Sequence, residues 1–176
     1  AQGGAVGIGV TPEAWNTAMD VVQVGTAASF WGSTNTSVSS MNANSFYNAA
    51  GNYIYINANY ASQYLQVDGK HIFYTAPSGS ADATISFSEA LTIDASGNVG
   101  IGATPTTWSL GKTLNIGAPE NYIWGESGNN LHIGNNAYYN SGYKYVSTDE
   151  ASSYTQNNGT HAWYTAASGS ADAALT

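Results

Sequence analysis

The chain has 176 residues, of which only 8% are charged, against roughly 25% in ordinary globular proteins. Its net charge of −8 sits beside three basic residues, Lys70, Lys112 and Lys144, too scattered to grip a phosphate backbone, so nucleic acid is not an expected partner. With no cysteine, a disulfide framework and a thiolate metal site are both excluded. No apolar run approaches the roughly 18 residues of a membrane span, and nothing reads as a signal peptide, so membrane insertion is not expected. Leu, Ile, Val and Phe together make up about one residue in six, a thin supply for a compact core. Such a supply suits elongated, repetitive or intertwined chains, with aromatic residues (12%) taking over part of the packing.

The chain opens, without Met, on "AVGIGVTPEAW" (5–15). Its later copy, "SGNVGIGATP" (96–105), is not a dinucleotide fingerprint, because the third glycine is missing and no long amphipathic pattern follows. Gly7 and Gly9 are read as leaving one strand face bare for close approach of neighbouring chain. A short helix from Pro12 to about Asp20 is predicted, with Thr11 as cap and Pro12 in its first turn. Further on, "YLQVDGKHIFY" (64–74) alternates on both sides of Asp68-Gly69, a pair that tolerates positive φ, which predicts a two-residue β-hairpin. In "TISFSEALTI" (84–93), Ile85, Phe87, Leu91 and Ile93 share one parity, the period of a half-buried strand. "DASGN" then turns the chain into Val99 and Ile101.

From there the sequence repeats itself. "VGIGVTPEAW" (6–15) returns as "VGIGATPTTW" (99–108), bringing Gly100 and Gly102 to the positions of Gly7 and Gly9. Trp31-Gly32 returns as Trp124-Gly125, and "HIFYTAPSGSADA" (71–83) as "HAWYTAASGSADA" (161–173). The hairpin pair returns as Asn158-Gly159. We therefore divide the chain into a first β module, 1–97, and a second, 98–176, which stops at Thr176, the counterpart of Ser86, and is C-terminally incomplete. A chain that opens on a repeat element and stops within one is expected to be a portion of something longer.

The residues capable of chemistry form no catalytic or metal-binding pattern. His71 and His161 recur after the hairpin turn and His132 stands alone; a three-fold axis could gather three copies of one, but no ligand spacing supports a metal, and they are read as hydrogen-bonded structural residues. Glycoside hydrolysis needs two positioned carboxylates. Asp82 and Asp172 recur in "GSADA" without a partner acid and are read as bonding turn amides, whereas Glu126, Asp149 and Glu150 occur in the second copy alone. Neither enzyme activity nor a cofactor is expected, with a depolymerase retained as the catalytic alternative. "NNAYYNSGYKY" (135–145) combines rings with amides suited to sugar faces and hydroxyls, so Tyr138, Tyr139 and Tyr143 are candidate glycan contacts, against the alternative that they pack between modules or chains.

"LTIDASGNVGIGATP" (91–105) and "NLHIGNNAYYNSGYKYVSTDEASSYTQNNGTHAWYTAASGSADA" (130–173) resemble phrases of the tail fibres and receptor-binding fibres of bacteriophages. The resemblance implies an all-β, elongated shaft of repeated modules, intertwined in a homotrimer of β-prism or β-sandwich character. It also implies an extracellular place on the virion among other tail proteins, supporting host attachment. Nothing matches the self-cleaving chaperone domain that often ends such fibres. A glycan-binding module that adheres to bacterial surface sugars, and a subunit of a non-viral extracellular filament, remain as alternatives.

Overall fold

The computed structural model describes residues 4–106, 108–126 and 128–175, with backbone only at Pro119 and Glu126. Residues 1–3, Thr107, Ser127, Thr176 and the Glu126 carboxylate lie outside the described residues. The fold is all-β, and no helix occurs among the described residues. Two compact units divide the chain, Ala1–Ala90 and Leu91–Thr176.

The first unit contains β1 (Ala5–Ile8), β2 (Met19–Val24), β3 (Ala28–Ser33), β4 (Val38–Ala43), β5 (Ser45–Tyr47), β6 (Tyr53–Tyr55), β7 (Asn59–Val67) and β8 (Lys70–Gly79). A sheet runs β1-β2-β3-β4-β7-β8, while β5 and β6 pair as a separate ribbon. The β1–β2 pair is parallel and the rest antiparallel. Two-residue periodicity decides which residues go inward. Val21 and Gln23 of β2, Trp31 of β3, Ser40 and Asn42 of β4 and Ile72 of β8 are buried. The ribbon and the β1–β2 connection cover this face, placing Trp15, Val21, Trp31, Phe46 and Ile54 in one core.

The division falls on β9 (Ser88–Ile93). The second unit continues with β10 (Val99–Ile101), β11 (Lys112–Ile116), β12 (Ala118–Glu126), β13 (Asn130–Asn135), β14 (Ala137–Tyr139), β15 (Tyr143–Tyr145), β16 (Asp149–Asn157) and β17 (Thr160–Gly169). Its sheet order is β9-β10-β11-β12-β13-β16-β17, with β14 and β15 as the ribbon. Here β10 and β11 are the parallel pair. Trp108, Tyr122, Trp124 and Ala137 form the core beneath the ribbon.

The hairpins β7–β8 and β16–β17 turn on Asp68-Gly69 (φ 50° and 74°) and Asn158-Gly159 (φ 49° and 81°), the left-handed pair of a type I′ turn. Two expectations need correction. The helix from Pro12 to about Asp20 does not form, because its backbone donors are committed elsewhere. Buried Gln23 Oε1 accepts from the Glu13 N–H (2.9 Å) and the Trp15 indole (3.0 Å), and Asn16 Oδ1 accepts from the Ala18 N–H (2.9 Å). "TISFSEALTI" is not one strand. Thr84 bridges to Ile54, Ile85 is buried beneath the ribbon, and regular pairing begins only at Ser88.

Two of the repeated glycines sit directly against backbone. A Cβ at Gly7 would lie 2.0 Å from the Val10 carbonyl oxygen, and one at Gly100 2.0 Å from that of Ala103. The close approach is made by the loop that follows each of these two glycines. Gly9 and Gly102 instead supply positive φ (72° and 63°) for that loop.

Candidate functional site

Alternation that sends one set of side chains inward sends the other set outward, and here an apolar row crosses the outward set. In the first unit, register places one such residue on each successive strand: Val6 beside Val22, then Phe30, Met41, Tyr64 and Phe73. Val22 is 38% exposed and Val6 and Met41 59%. The second unit carries the same line as Val99, Leu114, Ile123, Ile133, Tyr154 and Trp163. Trp163, at its end, is 81% exposed. Ile8 and Val24 flank the first row, and Ile101 and Ile116 the second, all exposed. Cross-strand neighbours of this kind support the sheet, but a row across six strands also leaves a contiguous apolar stripe facing water. Sequence reasoning missed it; the signal was the second parity of each strand, in "DVVQV", "SFWG" and "LHIGN".

The rows end in aromatic pairs joined to histidine. Tyr64 stacks on Phe73 (4.7 Å between ring centroids), and its hydroxyl meets His71 Nδ1 at 2.5 Å. Tyr154 packs on Trp163 (4.6 Å), and its hydroxyl meets His161 Nδ1. His132 lies inside, 4.5 Å from the Trp124 ring and 3.4 Å from the Tyr143 hydroxyl. Among the described residues, no three His, Asp or Glu side chains gather as a metal site.

The three candidate glycan tyrosines do not share one surface. Tyr139 stacks on Trp124 (5.9 Å) and meets Tyr143 edge-on (5.3 Å), so both belong to the aromatic core under the ribbon. The Tyr138 hydroxyl donates to Asp172 Oδ1 at 2.6 Å, a bond that raises the phenol's pKa. Asp82 and Asp172 adopt left-handed backbone (φ 66° and 65°), and their N–H groups donate to the Tyr55 and Tyr145 carbonyls, each at 2.9 Å. The expected role of their carboxylates was to bond turn amides; the Asp172 carboxylate instead holds Tyr138.

Two buried asparagines were also missed, though the repeat carries both. Asn44 and Asn136 each follow a sheet strand with φ 58° and turn the chain into the ribbon. The Asn44 amide donates to the carbonyls of Asn57 (3.0 Å), Asn59 (3.3 Å) and Tyr60 (3.0 Å), while its oxygen accepts from the Asn57 N–H (2.7 Å). Asn136 does the same with the Ser147 and Glu150 carbonyls and the Ser147 N–H.

Burial raises two phenols strongly. Tyr53 is pushed up to about 12 by desolvation, against a hydrogen bond from Gln63 that works the other way. Tyr122 is likewise pushed up to about 12 by desolvation, and the Ser153 hydroxyl only partly opposes it. The Tyr122 oxygen is fully enclosed and meets no partner at hydrogen-bond geometry. It lines a cavity of about 480 Å³ in the second unit, together with His132, Tyr143, Thr155, Ala162 and Tyr164. Set against family models, curated proteins and solved structures, the chain matches none.

Proposed function

We propose that this chain is a shaft segment of a homotrimeric phage tail or receptor-binding fibre, mechanical rather than catalytic, that supports host attachment from the outside of a virion. The observation that carries the reading is the outward apolar row of each unit. Moving a Val, Leu, Ile, Phe or Met side chain fully out of water stabilises by about 1.5–3 kcal/mol. Val6, Phe30, Met41, Phe73 and Ile133 are roughly half exposed, so covering each contributes about 1 kcal/mol. Copies of the same chain are the simplest cover, because each brings the same row. The number three, the elongated form and the virion location come from the likeness of "LTIDASGNVGIGATP" and the "NLHIGNN…GSADA" segment to fibre sequences.

The test is the dependence of thermal unfolding on protein concentration. A shared interface makes the melting temperature rise as the protomer is concentrated, because association favours the folded state by mass action. A melting temperature that does not move over a hundredfold concentration range overturns the reading.

A further inference from the structure

One end of the first unit's outward face gathers hydrogen-bond donors that the fold leaves unengaged. Register aligns Ser39, Gln66 and His71 there, on β4, β7 and β8. The loop from β3 to β4 closes on itself beside them, since Ser33 Oγ accepts from the Thr36 N–H (3.2 Å) and hydroxyl (2.7 Å). Loop and hairpin end border a cavity of about 390 Å³, lined by Ser37, Ser39, Gln66, Lys70 and His71. Among the described residues no carboxylate lines it.

The chain has 11 acidic and 3 basic residues, yet none of the described acids pairs with the Lys70 ammonium. The Ser37 and Ser39 hydroxyls likewise meet no partner among the described residues. Gln66 Nε2 donates to the Tyr64 hydroxyl oxygen (3.1 Å), which directs the phenol's own proton to His71 Nδ1 (2.5 Å). With Nδ1 accepting, a neutral His71 carries its proton on Nε2, and that nitrogen becomes a donor.

The repeat separates what is general from what is particular. The second unit keeps the relay as Gln156, Tyr154 and His161. It has Leu131 at the register position of Ser39, and Thr160 at that of Lys70. The relay therefore belongs to both copies, whereas the cation and the Ser39 hydroxyl belong to the first.

We propose that this cavity binds an oxyanion group, phosphate or carboxylate. The Lys70 ammonium meets its charge, and the two hydroxyls and the His71 N–H donate to its oxygens. A cation and neutral donors with no acid in the lining match a group that only accepts, and the bonds to it are charge-assisted. The inference does not depend on the fibre reading, because every donor comes from one unit.

The probes are sodium phosphate and sodium acetate, each titrated by calorimetry into the full chain. Sodium chloride holds the ionic strength constant, so general screening does not change. We expect saturable binding, and the tighter of the two anions identifies the group the cavity accommodates. Lys70→Gln should weaken it about tenfold, the worth of one charge-assisted hydrogen bond. Ser39→Leu, which installs the second unit's residue, should weaken it too, and Lys144→Gln should leave it unchanged. Lys70 is exposed and Ser39 half-buried, and circular dichroism verifies that both variants keep the fold. Absence of saturable binding by both anions, an affinity that Lys70→Gln leaves unchanged, or an equal loss in Lys144→Gln each overturns the proposal.

Discussion

Gly169 lies against the ring of Tyr145 so closely that a Cβ there would come within 2.2 Å of the ring's Cε2, and Gly79 stands in the same relation to Tyr55. Each tyrosine passes the glycine to donate its hydroxyl to a β8 or β17 carbonyl, Pro77 at 2.5 Å and Ala167 at 2.6 Å. The glycine of the repeated "SGSADA" phrase is thus a packing residue that admits a ring. Gly79→Ala and Gly169→Ala should each destabilise by about 1–3 kcal/mol through overpacking. Tyr55→Phe, which removes only the hydroxyl, should cost about 1 kcal/mol. Denaturant unfolding of the three variants checks the order; a glycine variant as stable as the parent would show that the ring gives way.

Asn44 and Asn136 separate backbone from side chain cleanly. Asn44→Gly keeps access to φ 58° and removes all four amide bonds, so its cost measures those bonds together with the larger backbone entropy of glycine. We expect at least about 2 kcal/mol, because several backbone carbonyls lose their partner together. Asn44→Ala should cost about 1 kcal/mol more, from forcing a side chain into left-handed backbone. Equal stability of the glycine variant and the parent would mean the asparagine serves the turn and not the network.

Alkaline pH should unfold the protein through two phenols. Tyr53 and Tyr122 stand near 12 in the fold against 10 when exposed, so the fold binds their protons more tightly. Their contribution is complete below pH 10 and disappears as pH rises from 10 to 12, up to about 3 kcal/mol for each. Tyr122→Phe should flatten that fall at a cost below about 1 kcal/mol near neutrality, since its hydroxyl meets no partner at hydrogen-bond geometry. Tyr53→Phe also flattens it, but loses the bond from Gln63 Nε2 (2.7 Å) and about 1 kcal/mol at neutral pH. Stability profiles from pH 8 to 12 that are identical for parent and Tyr122→Phe contradict this assignment.

Local chemistry was legible in the sequence wherever it was punctuated. Asp68-Gly69 and Asn158-Gly159 announce their hairpins because few other pairs take two positive φ angles in succession. The Pro12 segment misled for a physical reason: cap and proline describe what a helix start requires, yet Gln23, ten residues along, captures the amide of Glu13. Phe87 misled because parity in "TISFSEALTI" continues through a break in pairing before Ser88. The ribbons were illegible, because their three-residue strands are too short to show a period. Once the ribbon is known to cover Trp31 and Trp124, the opposite parity is left outside, and Phe30, Met41, Ile123 and Ile133 become the surface to explain.

That surface decides the account. The most direct measurement is the native mass, by analytical ultracentrifugation, of the parent chain and of a variant carrying Met41→Lys with Ile133→Lys. Both side chains point away from the cores, 59% and 44% exposed, so the double variant should keep its β circular dichroism. We predict three times the 18.3 kDa chain mass for the parent and dissociation towards single chains for the variant, as buried ammonium groups oppose assembly. A folded parent that sediments as a single chain, or a variant whose mass equals that of a trimeric parent, contradicts it.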